Sequence, residues 1–156
     1  MKELLAGAAA LALATAAASP AAAADFKPED LIDVRKKTLK ILNNNDLDTA
    51  IEKLGNPENG ALDLEGPGLH TWAFKGKGIV LWDHSGQSEE GMDLSNLTGM
   101  NGVDIIGSVK KGVRNGKDLI KWEDELPHPT TDNVTTSYVS CDTFASEKYV
   151  CAMAWF

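Results

Sequence analysis

The chain has 156 residues, a length that favours a single domain. Its 23 acidic residues outnumber its 15 lysines and arginines, so the formal net charge is −8. This balance argues against a nucleic-acid partner, because binding to phosphate backbones needs clustered cations.

The first 24 residues have the pattern of a secretory signal peptide. An apolar run rich in alanine and leucine covers residues 4–17, and residues 22–24 are alanines of the kind that signal peptidase accepts. The run is short for a membrane span, but its front carries little positive charge, so an uncleaved anchor stays open as the alternative. We predict a signal peptide at residues 1–24, one domain at residues 25–156, and a periplasmic or secreted location. Membrane contact is expected only through an uncleaved signal.

Two helices are predicted at the start of the domain. Pro28 suits a first helical position, and apolar residues then recur at helical spacing until the asparagine run 43–45. Asp46 is a typical N-cap for a second, shorter helix that Gly55 ends. The stripe on the first helix consists of Leu31, Val34, Thr38, Ile41 and Leu42. Residues 56–68 are rich in glycine, proline and acids and predict a loop.

A pair of strands joined by a tight turn is predicted over residues 69–83. Alternation along LHTWAF places three rings on one side of the first strand, namely His70, Trp72 and Phe74. The glycines of KGKG permit the reversal into GIVLWD. In that second strand, strict alternation places Val80 and Trp82 on the face opposite Asp83.

The rest of the chain is predicted to contain one more helix and three strands. After a polar loop at residues 85–92, a helical turn is expected to start at residues 93–97. A third helix follows from Val103 to about Asn115, with Ile105, Ile106, Val109 and Val113 on one face. Strands are predicted for three later stretches, namely LIKWED (residues 119–124), TTSYVSC (135–141) and KYVCAMAWF (148–156). His128 lies in a proline-containing loop, where we expect it to be exposed.

The chain contains an even pair of cysteines, Cys141 and Cys151. In an oxidising compartment such a pair is most simply a disulfide. If the flanking segments form a hairpin centred near Ser146, the two cysteines face each other across it. A free or redox-active pair and a metal site stay open, although the absence of CxxC disfavours a thioredoxin-like role.

The predicted elements follow the order helix, helix, strand, strand, helix and three strands. Strands grouped apart from helices are typical of an α+β domain. We therefore expect a five-stranded antiparallel sheet, with a long N-terminal helix and shorter helices on one side.

Two stretches of the domain carry a family resemblance. GIVLWDHSGQSEEGMDLSNL reads as a strand, a turn and a Gly-x-x-Leu-x-x-Leu run, with Gly91, Leu94 and Leu97 at the matching positions. Tyr138 matches a tyrosine in a later SYV strand. Together with the element order, these motifs resemble the single Cache domains, the extracellular PAS-like sensor domains of bacterial chemoreceptors and histidine kinases. The resemblance covers most of residues 25–156.

The resemblance implies a PAS-like fold with a small-molecule pocket between the sheet and the segment after the second strand. Members of that family typically bind small carboxylates or amino acids and are not enzymes, so we expect neither catalysis nor a cofactor. Asp83 and His84 stand where the family frequently has histidine and proline, and Cys151 and Met153 stand where small glycines are common. We expect no output module after Phe156.

The residues predicted to bind the ligand combine aromatic walls with polar groups. They are Trp72, Phe74, Trp82, Asp83, His84, Trp122 and Tyr138. We expect a small polar ligand, namely an amino acid, an amine or a short carboxylate, and an envelope protein partner that reads the bound state. No metal site is expected, because the three histidines lack ligand spacing, and Asp63 and Glu65 lack the spacing of a calcium loop.

Two alternative functions stay open at this point. Cys151 and Met153 could fill the pocket, and the chain would then be an interaction subunit of an envelope complex that binds no ligand. His84 beside Asp83 could instead serve a small hydrolase or metal enzyme, although neighbouring strand residues point to opposite faces. Core packing is also expected for at least two of the four aromatic residues Trp72, Trp82, Trp122 and Tyr138.

Overall fold

The computed structural model describes residues 26–55 and 66–156. Within these ranges the helices are α1 (Asp30–Asn44), α2 (Leu47–Leu54) and α3 (Ile105–Arg114). The strands are β1 (His70–Lys75), β2 (Ile79–Asp83), β3 (Ile120–Trp122), β4 (Ser137–Ala145) and β5 (Lys148–Trp155). They form one antiparallel sheet in the order β2-β1-β5-β4-β3, which confirms the predicted α+β fold. The predicted signal peptide, Asp63 and Glu65 lie outside the described residues.

Helices α1 and α2 pack on one face of the sheet. Leu31 of α1 clusters with Ala152 and Ala154 of β5, whose small side chains let the helix approach the strand closely. Asp46 caps α2, because its carboxylate accepts a hydrogen bond from the main-chain nitrogen of Thr49 at 3.0 Å. The two helices predicted from the apolar stripe and the cap are therefore confirmed.

Strands β4 and β5 form a hairpin closed by a disulfide. Cys141 and Cys151 stand directly opposite each other in the register, and 4.1 Å separates their Cα atoms. The turn is formed by Ser146 and Glu147. Both cysteines are buried in the core that the sheet shares with α3. The predicted disulfide hairpin is confirmed.

Helix α3 packs on the face of the sheet opposite to α1 and α2, so the prediction that the helices lie on one side is wrong. Its buried residues Ile105, Ile106 and Val109 cluster with Trp72 and Phe74 of β1. The alternation predicted for β1 is therefore confirmed, and its ring-bearing side faces α3. We call this side of the sheet the α3 face and the other side the α1 face.

Strand β2 contains a bulge that the alternating pattern did not predict. Trp82 pairs with Ala73, but Val80 pairs with Phe74, so Leu81 is an additional residue without an opposite partner. Because Ala73 and Phe74 point to opposite faces, the bulge directs Trp82 to the α1 face and Val80 to the α3 face. The prediction that Val80 and Trp82 share a face is wrong.

Residues 84–98, which we call the edge segment, pass along the outer edge of β2. The main-chain nitrogen of Leu94 donates to the oxygen of Gly78 at 2.9 Å. Glycine permits this approach, because a Cβ at Gly78 would lie 2.9 Å from the main-chain nitrogen of Ser95. The helical turn predicted at residues 93–97 is wrong: this stretch forms a bridge and turns, since its main-chain groups pair with β2.

Three aromatic rings meet at the ends of the described chain. Phe26 stacks with Phe156, with 6.2 Å between ring centroids, and Tyr138 meets the Phe156 ring edge-on at 5.6 Å. Phe26, four residues before α1 begins, and Phe156, the residue after β5, are therefore in one cluster. In the described ranges, no helix combines the length and the apolar character that crossing a membrane requires.

Candidate ligand-binding site

A cavity of about 490 Å³ lies between the α3 face of the sheet and the edge segment. Most of its wall is apolar and includes Trp72, Leu94, Leu97, Ile105, Met153 and Trp155. Its volume falls within the range of small-molecule pockets, about 300–1,000 Å³. Gln87 and Met92 of the edge segment also line it and are exposed to solvent. The cavity is where the resemblance implied a pocket, while ligand binding itself stays a prediction.

Two buried polar side chains meet in the cavity wall. The side chains of His70 and Asp83 are 5% and 9% exposed, and 3.9 Å separates His70 Nε2 from Asp83 Oδ1. This distance is too long for a direct hydrogen bond. Asp83 Oδ1 instead accepts hydrogen bonds from the nitrogen and the hydroxyl of Ser85, at 2.9 and 2.6 Å. These bonds hold the carboxylate at the end of β2.

The other ring nitrogen of His70 decides which tautomer is present. His70 Nδ1 lies 3.1 Å from the main-chain oxygen of Gly68. A carbonyl oxygen only accepts, so Nδ1 carries the proton and Nε2 of the neutral ring is an acceptor. Among the described residues, Nε2 finds no hydrogen-bond partner. Neutral His70 and Asp83 therefore present two acceptors side by side.

The surroundings of His70 favour its neutral form. Burial lowers the pKa of His70 because the imidazolium would lose its hydration, whereas the Asp83 carboxylate and the bond to Gly68 act to raise it. Burial also lowers the pKa of His84, again against the effect of Asp83. The cavity wall therefore combines the carboxylate of Asp83 with a neutral imidazole.

Trp155 connects the cavity wall to a second buried histidine. Its indole nitrogen donates to the oxygen of Leu126 at 2.9 Å, and its ring stacks on His70 with 5.5 Å between centroids. His128 contacts the same ring, also at 5.5 Å, and its Nε2 lies 3.3 Å from the oxygen of Gly66. His128 is only 8% exposed, so the expectation that it is exposed is wrong. Its ring packs against Trp155 instead of facing solvent.

The architecture has counterparts among solved structures. A methyl-accepting chemotaxis protein from Vibrio parahaemolyticus RIMD 2210633 is similar at a TM-score of 0.60 and 20% identity, over 82% of this chain and 93% of that chain. A periplasmic sensor domain of a chemotaxis protein is similar at a TM-score of 0.54 and 14% identity, over 82% and 87% of the two chains. This chain has the fold of a chemotaxis sensor domain. No protein-family model and no curated protein sequence matches it.

In this sensor-domain fold, two of the seven predicted site residues line the cavity. Trp72 and Asp83 stand opposite each other on β1 and β2, and both face the cavity. Phe74 is fully buried beside Trp72, with 5.2 Å between the ring centroids, and belongs to the core under α3. The register of β1 and β2 therefore brings Trp72 and Asp83, both predicted to bind the ligand, together in the cavity wall.

The other four predicted residues lie elsewhere. Trp82 packs on the α1 face with residues of α1 and α2, and its ring edge contacts His84 at 6.0 Å. Tyr138 also belongs to the α1 face. Trp122 is buried in the core beside α3, where its indole nitrogen donates to Ser108 Oγ at 3.0 Å. Trp72, Trp82, Trp122 and Tyr138 therefore do not form one aromatic wall, because Trp82 and Tyr138 lie on the other side of the sheet.

Most residues of the cavity wall were missed as ligand-binding residues, and three of them lie on the central strands, namely His70, Met153 and Trp155. His70 was considered only as a metal ligand, and Met153 and Trp155 were not proposed. Alternation along KYVCAMAWF contained the signal, since it places Met153 and Trp155 on the same side as Cys151. Pairing β5 with β1 then brings Met153 opposite His70.

The polar pair in the cavity wall offers hydrogen-bond acceptors. Over residues 26–55 and 66–156, no group of three or more His, Cys, Asp or Glu side chains could hold a metal ion. In the same part of the chain, no hydroxyl or thiol forms a hydrogen bond with His70 Nε2, as a nucleophile activated by this ring would. The polar pair can instead accept hydrogen bonds from a guest molecule.

Proposed function

We propose that this chain is a periplasmic sensory domain that binds a small molecule between the α3 face and the edge segment. One observation carries the proposal: the cavity has apolar walls and a buried polar pair, His70 and Asp83. A small number of polar groups in an apolar pocket is typical of ligand sites. The fold of chemotaxis sensor domains supports a sensory role.

The state of the cavity favours ligand binding over a pocket filled by the protein's own side chains. Met153 occupies part of the wall, and Cys151 lies in the disulfide, yet a volume of ligand size remains. His70 Nε2 has no hydrogen-bond partner in the described part of the chain, and leaving a polar atom unpaired in an apolar site is costly. A ligand that donates to this nitrogen offsets the cost.

The proposed role is recognition rather than catalysis. His84 and Asp83, the residues considered for a hydrolase, diverge: Asp83 lines the cavity, and His84 contacts Trp82. We propose that an envelope protein detects the bound state, since a sensory domain requires a partner that converts binding into a response.

A thermal-shift screen of amino acids, amines and short carboxylates on the purified protein tests the proposal. A ligand that binds only the folded state raises the melting temperature, and at about one hundred times its Kd it adds about 2.7 kcal/mol of stability. We expect at least one of the three classes to give a concentration-dependent rise, confirmed by calorimetry.

Two matched variants locate the binding. Leu97→Trp fills the cavity, whereas Leu119→Trp makes the same change on the α1 face. We expect the ligand-dependent rise to disappear in the first variant and to persist in the second. If no compound of any class stabilises the protein at millimolar concentration, the sensory proposal fails and an interaction subunit becomes the better description.

A further inference from the structure

We infer that the ligand is a small cationic amine with an apolar body, whose ammonium group is held between His70 Nε2 and Asp83. This inference rests on the proposed function and specifies the chemical class of the ligand. It follows from three properties of the cavity: the charges in its wall, the hydrogen-bonding state of the polar pair, and the nature of the remaining wall.

The charge of the cavity wall favours a cation. Asp83 is the acidic residue in the lining, and no lysine or arginine of the described chain lines the cavity. A carboxylate ligand would meet Asp83 without a cationic partner to offset the repulsion, and a buried charge without a partner is costly. An ammonium ligand gains the attraction of Asp83 in an environment where screening is weak.

The hydrogen-bonding state of the pair favours a donor, because no described residue donates to His70 Nε2, whereas Asp83 Oδ1 already accepts from Ser85. Nε2 of neutral His70 and Oδ1 of Asp83 are both acceptors, and their separation of 3.9 Å leaves room for one donor atom in contact with both. Charge-assisted hydrogen bonds are about 2.7–2.9 Å long, so an ammonium nitrogen reaches both atoms from the cavity. Its three hydrogens also allow a bond to Asp83 Oδ2, for which the described residues provide no donor.

The rest of the wall fits an apolar body attached to that ammonium group. Trp72 and Trp155 flank the polar pair, and Met153 and the leucines of the edge segment contribute further apolar surface. Indole faces attract cations in addition to burying apolar surface. A free ammonium ion would leave most of this wall uncovered, so the body contributes to affinity.

Proton uptake by His70 should compete with the amine. An imidazolium would donate to Asp83 and repel the ammonium group, so binding should weaken as the pH falls. The titratable groups close to His70 are Asp83 on β2, His84 after it, and His128 in the loop that covers Trp155. His84 also becomes cationic in acid and acts in the same direction.

Three probes that share one body test the inference on the whole protein. Phenethylamine, phenethyl alcohol and phenylpropionate differ only in the head group, and isobutylamine, isobutanol and isovalerate provide a smaller body. Calorimetry at pH 8 should give a Kd for the amine at least about ten-fold below that of the matched alcohol, and weaker or no binding of the carboxylate. The amine affinity should fall by a similar factor at pH 5.

Asp83→Asn isolates the contribution of the charge. The asparagine oxygen can still accept both hydrogen bonds from Ser85, so the variant keeps the local structure. We expect its amine affinity to fall at least about ten-fold, with little change for the alcohol. Glu90→Gln removes the same charge from an exposed position in the edge segment and should leave both affinities unchanged.

The outcomes separate this inference from the proposed function. Tighter binding of the carboxylate or the alcohol than of the amine overturns the amine inference and leaves a small-molecule sensor. Equal loss of amine affinity in Asp83→Asn and Glu90→Gln also overturns it, because the effect would then be one of net charge. Absence of binding by every probe, and by every compound of the wider screen, removes the proposed function and the inference together.

Discussion

Trp72 and Trp82 lie on opposite faces of the sheet, although their strands are hydrogen-bonded neighbours. The additional residue Leu81 in β2 produces this arrangement, because it reverses the alternation between Val80 and Trp82. Trp72 faces the cavity, whereas Trp82 packs against α1 and α2. The fluorescence of Trp72 therefore reports on the cavity, whereas the fluorescence of Trp82 reports on the packing of α1 and α2 against the sheet.

Trp82→Phe should lower stability and leave ligand binding intact. Trp82 is half-buried, so we expect a loss of about 1 kcal/mol in the free energy of unfolding, measured by urea titration. A ligand in the cavity should change the fluorescence of Trp72 and Trp155, and this change should persist in Trp82→Phe. Its disappearance in that variant, with retention in Trp72→Phe, would place the ligand on the α1 face instead.

Reduction of the disulfide should lower the stability of the whole domain. Cys141 and Cys151 join the two longest strands, and removal of a native disulfide typically costs about 2–4 kcal/mol. Urea unfolding with and without dithiothreitol measures the difference. Alanine suits both positions as a replacement, because both cysteines are buried among apolar side chains. Dithiothreitol should have no effect on the double Cys→Ala variant, and an effect there would show that the reagent acts elsewhere.

Gly78→Ala should displace the edge segment and thereby disturb the cavity. A Cβ at Gly78 would lie 2.9 Å from the main-chain nitrogen of Ser95, and φ at Gly78 is +131°. We expect a loss of about 2 kcal/mol or more in unfolding free energy and weaker binding of any ligand. Gly76→Ala is the matched control, because φ is also positive there but nothing lies within 4 Å of the added Cβ. Equal effects of the two substitutions would refute a specific role of the edge segment.

Stability should fall in mild acid because of His70. Burial holds the pKa of His70 below its ordinary value of 6.5, so below that value the unfolded chain binds more protons than the folded one. The contribution of neutral His70 to the free energy of unfolding is fully present above pH 6.5. It is lost as the pH falls toward the lowered pKa of His70. Urea titrations between pH 5 and 8 should show this slope, and His70→Gln should flatten it. His84→Gln separates the contribution of the second histidine, whose pKa is also lowered.

Much of the fold could be predicted because its signals are local. The cap at Asp46, the apolar stripe of α1 and the alternation of β4 and β5 depend on residues within a few positions of each other. A helix cap and the spacing of apolar residues, about 3.6 residues in a helix and 2 in a strand, each act within one segment, so they can be recognised from that segment alone. The disulfide could be predicted because Cys141 and Cys151 lie at similar distances on either side of the hairpin turn.

The candidate site could be predicted only in part because its geometry depends on long-range pairing. Nothing local to Leu81 indicates a bulge, yet this residue decides that Trp82 leaves the cavity. His128 occurs in a loop, and its burial depends on Trp155, which is distant in sequence. The edge segment has the composition of a helix start, but its main-chain groups bind to β2 instead.

The ring contact between Phe26 and Phe156 gives the cavity a short connection to the start of α1. Trp155 lines the cavity, Phe156 follows it directly, and the Phe156 ring stacks on Phe26 just before the helix. If the proposed ligand displaces the Trp155 side chain, the movement reaches Phe26, four residues before α1 begins, through one peptide bond and one aromatic contact. Under the proposed function, a partner that contacts only this corner of the domain would then detect occupancy, without any rearrangement of the sheet.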